Sequence, residues 1–240
     1  MQKLTRVEIK YRISVGQFEE LMGELSSHIK KDEFFSETVH NIYFDNENDG
    51  IIRSSIEKPF FKDKLRLRGY TIDGRLCGNV YFELKKKYNG VVYKRRVKLS
   101  KQQAEMILEG GSPAGILPDN QITREIAFFL EKTACFPKIH ISYDRVSFAA
   151  KTSPNIRITF DTNIQSRLQN LGLSRFANDA PLLPKNEGIF EIKTSDEYLL
   201  WSAYPLWLTN SLARCKIYPT AFSKYGEIFK EIQKQKKEVS

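Results

Sequence analysis

Lysine and arginine side chains recur at alternate positions in several segments of the chain. In Lys64–Arg68 three cations alternate with two leucines, and in Val7–Ile13 charged and apolar residues alternate in the same way. Alternate side chains of a β-strand share one face, so these segments predict strands with a charged side. Rows of arginine and lysine bind polyanions, because guanidinium groups grip phosphate oxygens in pairs and ammonium groups act as point charges. A polyanion-binding surface is therefore one interpretation of the pattern.

One hairpin can be registered from the sequence. Asn89-Gly90 lies between two strand-like runs and favours a two-residue turn. That turn would place Glu83 opposite Arg96 and Lys85 opposite Lys94. Two cations placed directly opposite each other are destabilising. We therefore expect a counter-charge or a bound anion beside the two lysines.

The predicted polar strand faces carry far more cations than acids. The cations are Lys10, Arg12, Lys64, Arg66, Arg68, Lys85, Lys87, Lys94, Arg96, Lys98, Arg145, Arg157 and Lys193. The acids on the same faces are Glu8, Glu83, Asp161 and Glu191. Carboxylates within a cationic site could hold a divalent cation, because Mg²⁺ and Mn²⁺ prefer oxygen ligands.

Three interpretations of these faces remain open. A solvated sheet face is the simplest, although solvated faces usually mix charges of both signs. A flat basic sheet could bind nucleic acid, but aromatic residues should then alternate with the cations. The aromatic residues of these strands fall mostly on the opposite face: Tyr11, Phe82, Phe148, Phe160 and Phe190. A closed barrel could instead direct the charges into a cavity that binds phosphates and supports phosphoryl transfer.

The composition excludes several classes of protein and site. The chain has 240 residues, a formal net charge of +9 and 41% hydrophobic residues, which is typical of a globular protein with an anionic partner. Its three cysteines and three histidines show no metal-ligand spacing, and it has no glycine-rich nucleotide loop. Because neither an apolar leader nor a membrane-spanning stretch is visible, we expect the protein in the cytoplasm.

Helices are predicted between the strands. Ser14 with Gln17, and Ser100 with Gln103, match the capping box that begins a helix. Further helices are predicted at 119–135, 196–208 and 220–234.

The fold class that follows is α+β, with an antiparallel sheet whose apolar side is covered by helices. We expect a single domain over residues 1–240, with a core at about 4–230 and a polar C-terminal tail at 231–240.

Nine short motifs occur in an order that resembles the polyphosphate polymerase (VTC) domain of the triphosphate tunnel metalloenzymes, which include the CYTH phosphatases. The motifs are EIKYR (8–12), YFDN (43–46), KLRLRGY (64–70), YFELKKK (81–87), YKRRV (93–97), SYDR (142–145), RITFDT (157–162), FEIK (190–193) and FSKY (222–225). The resemblance covers about residues 4 to 230. It implies an eight-stranded antiparallel β-barrel that forms a tunnel with flanking helices. The implied activity is metal-dependent transfer of the terminal phosphate of ATP onto a growing polyphosphate chain.

The resemblance also implies roles for particular residues. The phosphate-binding candidates are Lys10, Arg66, Arg68, Lys85, Lys94, Arg96, Arg145, Arg157, Lys193 and Lys224. Of these, the catalytic candidates are Lys10, Arg66, Arg68, Lys85, Arg145, Arg157 and Lys224. Glu191 is the main candidate ligand for Mn²⁺ or Mg²⁺, with Glu8 and Glu83 as weaker ones. Lys224 is expected to come from the last helix and to close over the phosphate chain.

The expected partners are ATP and inorganic polyphosphate, with nucleic acid disfavoured. Export of a polymer through a membrane would need another protein. The chain departs from the family at Ala221, where members often carry a further lysine. Two alternatives remain open: a triphosphatase or short-chain polyphosphatase of the same architecture, and a non-catalytic module that binds polyphosphate or nucleic acid.

Overall fold

The computed structural model describes residues 7–57, 60–88, 91–153, 155–194 and 204–238. The strands are β1 (Val7–Ser14), β2 (Ile29–Asp45), β3 (Phe61–Ile72), β4 (Arg75–Tyr88), β5 (Val91–Leu99), β6 (Phe136–Ala150), β7 (Ile156–Arg167), β8 (Ala180–Pro181) and β9 (Glu187–Thr194). The helices are α1 (Val15–Leu25), α2 (Gly50–Ile56), α3 (Lys101–Leu108), α4 (Pro113–Ile116), α5 (Gln121–Thr133), α6 (Leu206–Arg214) and α7 (Lys224–Glu238). Within these ranges, no helix has both the length and the apolar character needed to cross a bilayer.

The strands form a sheet with the hydrogen-bonded order β1-β9-β7-β6-β2-β3-β4-β5, and β8 pairs with β7. The pairs β1–β9, β7–β9, β2–β3, β3–β4 and β4–β5 are antiparallel. This arrangement confirms the predicted α+β class, with a mostly antiparallel sheet that has eight strands in its main order and with accompanying helices.

The chain divides into two compact units. Unit 1 consists of Met1–Glu37, Tyr143–Ile164 and Pro181–Ser223. Unit 2 consists of Thr38–Ser142, Gln165–Ala180 and Lys224–Ser240. Strands β2, β6, β7 and β8 contribute residues to both. The single domain over 1–240 stays a prediction.

The core of unit 1 follows from the alternation in its strands. Tyr11 in β1, Phe190 in β9 and Phe160 in β7 all lie on the buried face, while the charged residues between them lie on the other face. Leu21 and Leu25 of α1 complete this core. Helix α1 begins with the predicted capping box, in which the Gln17 backbone N–H donates to Ser14 Oγ at 3.0 Å and Gln17 Oε1 accepts from the Ser14 backbone N–H at 3.1 Å.

The core of unit 2 is built in the same way. Leu65 and Leu67 of β3 and Phe82 of β4 are fully buried, and helix α5 covers them with Ile126 and Phe129. The predicted capping box at Ser100 also forms and begins α3. The apolar side chains therefore occupy one side of β3 and β4, which leaves the alternate positions for the charged residues.

The helix bounds differ from the predicted ones at their ends. The helix predicted at 119–135 is α5, Gln121–Thr133. The last helix begins later than predicted, at Lys224, and runs to Glu238, so that most of the predicted polar tail continues α7. The Asn89-Gly90 turn and most of the helix predicted at 196–208 lie outside the described residues.

Candidate functional site

Strands β3, β4 and β5 of unit 2 carry three rows of polar side chains on one face. The rows are Lys64–Lys85–Lys94, Arg66–Glu83–Arg96 and Arg68–Tyr81–Lys98. These nine residues are called the cationic face below. Seven of them are cations, and Glu83 is their single carboxylate. Such an excess of one charge sign in directly opposed positions is destabilising unless negative charge is supplied.

The predicted hairpin register is confirmed. Glu83 is the cross-strand partner of Arg96, and Lys85 is the partner of Lys94. The expected counter-charge beside the two lysines is Glu83, because Lys94 Nζ lies 2.5 Å from its Oε1.

Glu83 is the electrostatic centre of the cationic face. Its side chain is 1% exposed, and its Oε2 accepts hydrogen bonds from Nε and Nη2 of Arg66 at 2.9 and 2.8 Å. Arg68 Nε lies 3.9 Å from the same oxygen. Burial alone would raise the pKa of Glu83, but Arg66, Arg68 and Lys94 hold that pKa well below its ordinary value. The carboxylate is therefore ionised, and both of its oxygens contact cations.

Strand β2 supplies neutral partners to the two arginines. Arg66 Nη1 donates to the Tyr43 hydroxyl at 3.0 Å, and Arg68 Nε donates to Asn41 Oδ1 at 2.9 Å. Burial alone would raise the pKa of Tyr43, but the charges of Arg66, Lys64 and Arg68 lower it to about 7. Sequence reasoning gave Tyr43 no role, although the YFDN motif pointed to it.

Helix α7 begins beside Tyr43. Its first residue is the predicted site residue Lys224. The next residue, Tyr225, stacks on Tyr43 with 5.2 Å between ring centroids and donates from its hydroxyl to Asp45 Oδ2 at 3.0 Å. Sequence reasoning missed Asp45 and Tyr225 as well, although the YFDN and FSKY motifs contain them.

Unit 1 carries a different charged face, on strands β1, β9, β7 and β6. One row joins Glu8, Lys193 and Arg157, and the next joins Lys10, Glu191 and Thr159. Arg145 of β6 and Asp161 of β7, which form an ion pair with each other, complete the set. These eight residues are called the mixed face. It mixes three acids with four cations, in contrast to the cationic face of unit 2.

The cations of the mixed face are engaged by protein groups. Arg145 forms a two-pronged ion pair with Asp161, at 2.7 Å from Nε and 2.8 Å from Nη2. Arg157 Nε lies 2.6 Å from Oδ2 of Asp32, a residue that is not part of the mixed face. Lys10 Nζ donates to the Phe222 carbonyl at 3.0 Å. The positive charge of this face is thus largely balanced within the protein.

Glu191, the main candidate for a metal ligand, is a buried carboxylate on the mixed face. Its side chain is 6% exposed, and Lys193 Nζ lies 3.2 Å from its Oε2. Burial lowers the pKa of Lys193 to about 8, against the opposing effect of Glu191. The hydroxyl of Thr159, the cross-strand partner of Glu191, is buried without a hydrogen bond to any described group. The side-chain oxygens of Glu191 and Thr159 therefore lie on the same face, where both could serve as metal ligands.

The three predicted metal ligands are not brought together within one unit. Glu8 and Glu191 share the mixed face of unit 1, whereas Glu83 belongs to the cationic face of unit 2. In the described ranges, histidine, cysteine, aspartate and glutamate form no group of three or more that could hold a metal ion.

The phosphate-binding candidates divide between the two units. The cationic face contains Arg66, Arg68, Lys85, Lys94 and Arg96, and the mixed face contains Lys10, Arg145, Arg157 and Lys193. Lys224 lies at the start of α7 in unit 2. Their binding and catalytic roles stay predictions.

Several solved structures share this fold. A candidate adenylate cyclase from Bacillus halodurans matches with a TM-score of 0.57 and 16% identity, covering 93% of this chain and 96% of the other. A Pyrococcus horikoshii OT3 protein matches with a TM-score of 0.51 and 13% identity, covering 94% and 98%. A candidate adenylate cyclase from Vibrio parahaemolyticus matches with a TM-score of 0.50 and 12% identity, covering 95% and 99%.

None of the curated proteins compared with the chain matches it significantly. The VTC domain family, by contrast, matches residues 5–231, which is nearly the whole chain. This match agrees with the nine motifs and with their order along the strands and the last helix. The chain belongs to the VTC domain family.

Proposed function

We propose that this protein is a polyphosphate polymerase that transfers the terminal phosphate of ATP to the end of an inorganic polyphosphate chain. The observation that carries the proposal is the cationic face, where seven cations in three cross-strand rows surround one carboxylate. Membership of the VTC domain family supports a polyphosphate-related role.

A phosphate chain suits the geometry of the cationic face. Its rows place Lys64, Lys85 and Lys94 directly across three neighbouring strands, about 5 Å apart from strand to strand. Like charges at that spacing repel each other, and a chain of phosphates laid along the row would relieve the repulsion. Arg66 and Arg68 are held by Glu83, Tyr43 and Asn41, so their guanidinium groups are already oriented before an anion binds.

Phosphoryl transfer needs positioning and charge stabilisation more than covalent chemistry from the protein. The terminal oxygen of the polyphosphate chain attacks the γ-phosphorus of ATP in line, and the bond to the β-phosphate oxygen breaks. A new phosphoanhydride bond forms, and ADP leaves with its charge. Arg66, Arg68 and Lys85 neutralise the charge that spreads over the phosphate oxygens.

Mn²⁺ or Mg²⁺ fits the oxygen donors of the mixed face. Glu191 and Glu8 supply carboxylates there, and Thr159 supplies a buried hydroxyl without a hydrogen-bond partner among the described groups. Mg²⁺ is usually bound by one or two carboxylates together with substrate phosphates, so a larger protein cluster is not required. When bound, the metal would neutralise phosphate oxygens. Glu83 is better suited to orienting Arg66 and Arg68, since its oxygens already contact cations.

The test is an incubation of the purified protein with ATP and Mn²⁺, resolved on a gel that separates polyphosphates by length. A ladder of long polymers is expected. Release of free phosphate without polymer would indicate a hydrolase of the same fold, and binding without turnover would indicate a binding module. Either result would overturn the proposed reaction.

Two neighbouring lysines provide a matched pair of variants for the same assay. Lys85 lies on the cationic face, whereas Lys86 points to the other side and forms an ion pair of 2.7 Å with Glu125 of α5. Lys85→Ala should slow polymer formation by roughly tenfold or more, while Lys86→Ala should leave it within about twofold. Equal effects of the two variants would contradict a substrate on the cationic face.

A further inference from the structure

The first turn of α7 is tied to the cationic face by a chain of contacts within unit 2. Tyr225 is 4% exposed, and its ring stacks on the ring of Tyr43 with an interplanar angle of 30°. The Tyr43 hydroxyl in turn accepts a hydrogen bond from Arg66 Nη1 at 3.0 Å. A displacement of the helix start would therefore disturb the tyrosine that contacts Arg66.

Asp45 fixes the other side of Tyr225. Its side chain is fully buried and accepts the Tyr225 hydroxyl at 3.0 Å. The same carboxylate accepts backbone N–H groups of Asn46 and Ile51 at 2.9 Å and of Ile52 at 3.0 Å. With four hydrogen bonds it cannot rotate away without leaving buried donors unsatisfied. Tyr225 is thus held by a rigid acceptor at its hydroxyl and by an aromatic ring at its face.

Lys224 immediately precedes this anchored residue. Helix ends tend to fray, because the first N–H groups of a helix lack partners within it. A lysine ammonium on a flexible four-carbon stem contributes most to anion binding when its backbone is held in place.

We propose that Tyr225, Asp45 and Tyr43 are positioning residues that aim Lys224 at an anion bound on the cationic face. The inference rests on the proposed function, since it requires a phosphate substrate on that face. The three residues act through Lys224 and need not touch the substrate themselves. Tyr43 additionally couples the position of the helix start to the orientation of Arg66.

The test is a double-mutant cycle measured with inorganic tripolyphosphate, which probes binding without any assay of polymer synthesis. Affinities are measured by calorimetry for the wild-type chain, Lys224→Ala, Tyr225→Phe and the double variant. Phenylalanine keeps the stacking on Tyr43 and removes only the hydroxyl that bonds to Asp45. Lys224→Ala should weaken binding roughly tenfold in the wild-type background and less than about threefold in the Tyr225→Phe background.

A merely structural role for Tyr225 would not produce this pattern. Equal losses from Lys224→Ala in both backgrounds would overturn the inference while leaving the proposed function intact. Failure of the wild-type chain to bind tripolyphosphate would instead overturn the proposed function. Tyr218→Phe serves as the matched control, since Tyr218 is 72% exposed, and it should leave the effect of Lys224→Ala unchanged. If Tyr225→Phe does not fold, Tyr43→Leu, which removes the ring that stacks on Tyr225, takes its place in the cycle with the same expected outcome.

Discussion

Glu83 Oε1 lies 2.5 Å from Lys94 Nζ. Glu83 is the diagonal cross-strand neighbour of Lys94, whose direct partner is Lys85. This contact resolves the clash that the hairpin register implies. It also makes one buried carboxylate the internal counter-charge of a face with seven cations. Loss of the Glu83 charge should therefore lower the stability of the protein and strengthen anion binding on the cationic face.

Replacing Glu83 by glutamine should destabilise the protein and strengthen anion binding. The substitution leaves Arg66, Arg68 and Lys94 without their shared negative charge, which for a buried pair costs about 3 kcal/mol of unfolding free energy. Urea denaturation measures that loss, and added tripolyphosphate should recover part of it. Glu105→Gln, which affects an exposed pair with Lys101, should change stability by less than about 0.5 kcal/mol. Unchanged stability in Glu83→Gln would contradict the central role of this carboxylate.

Arg68→Ala should strongly slow polymer synthesis without unfolding the protein. Its guanidinium lies on the cationic face, where loss of one stabilising group is expected to slow transfer by roughly a hundredfold. Arg66→Ala should have the same effect on turnover. Arg95→Ala is the control, because Arg95 lies on the opposite side of β5, 3.5 Å from Glu125. Initial rates and melting temperatures measured together separate loss of activity from loss of folding, and full activity in Arg68→Ala would contradict a substrate on this face.

Glu191→Gln should raise the Mn²⁺ concentration needed for half-maximal activity by roughly tenfold or more. The amide keeps the shape of the side chain and removes the charge that favours a divalent cation. Glu187→Gln provides a control in the same strand, since Glu187 pairs with Arg12. Binding of tripolyphosphate without metal should change little in either variant. An unaltered metal requirement in Glu191→Gln would remove this residue from the proposed metal site.

Tyr43 should report directly on anion binding. Because its pKa is lowered to about 7 by neighbouring cations, a phenolate absorbance titration should show a tyrosine that ionises near neutral pH. Tyr43→Phe should lack that transition. A bound anion neutralises Arg66 and its neighbours, so tripolyphosphate should shift the transition to higher pH. A titration that does not respond to tripolyphosphate would place the anion elsewhere.

A buried histidine pair should make unit 2 sensitive to acid. Arg167 carries only N–H donors, so its contact of 2.9 Å with His140 Nδ1 requires that nitrogen to accept. His140 Nε2 then donates to His40 Nδ1 at 3.1 Å, and His40 donates in turn to Thr71 at 3.0 Å. Protonation of His140 would turn Nδ1 from an acceptor into a donor that faces Arg167, and this chain of hydrogen bonds would break.

The sign of the resulting pH dependence follows from the lowered pKa. Burial, with the charge of Arg167 beside it, lowers the pKa of His140 to about 2, so the unfolded chain binds a proton below about pH 6.5 that the folded chain does not. Asp179, which pairs with Arg167 at 2.8 Å, does not reverse this direction. Unfolding free energy should fall by about 2 kcal/mol between pH 7 and pH 5, and His140→Gln should reduce that slope. Urea midpoints that do not change over this range would contradict the prediction.

Much of the local structure could be predicted from the sequence. The capping boxes at Ser14 and Ser100 and the cross-strand pairs from Glu83–Arg96 to Lys85–Lys94 are all present. Each depends on residues close together in the chain, whose spacing defines the geometry. The start of the last helix was predicted too early, because Thr220 and Ser223 are both common N-cap residues and the helix begins only after the second one.

By itself, the sequence determined which side chains share a face, because the two-residue period of a strand and the register of a hairpin are local properties. Only the tertiary structure decided which charges neutralise each other. Asp161 balances Arg145 and leaves the mixed face nearly neutral, whereas Glu83 is shared among cations from β3 and β5. The bond between Asp45 and Tyr225 joins residues 180 positions apart. Such contacts depend on strand order and on where a distant helix packs, and neither is encoded in the spacing of neighbouring residues.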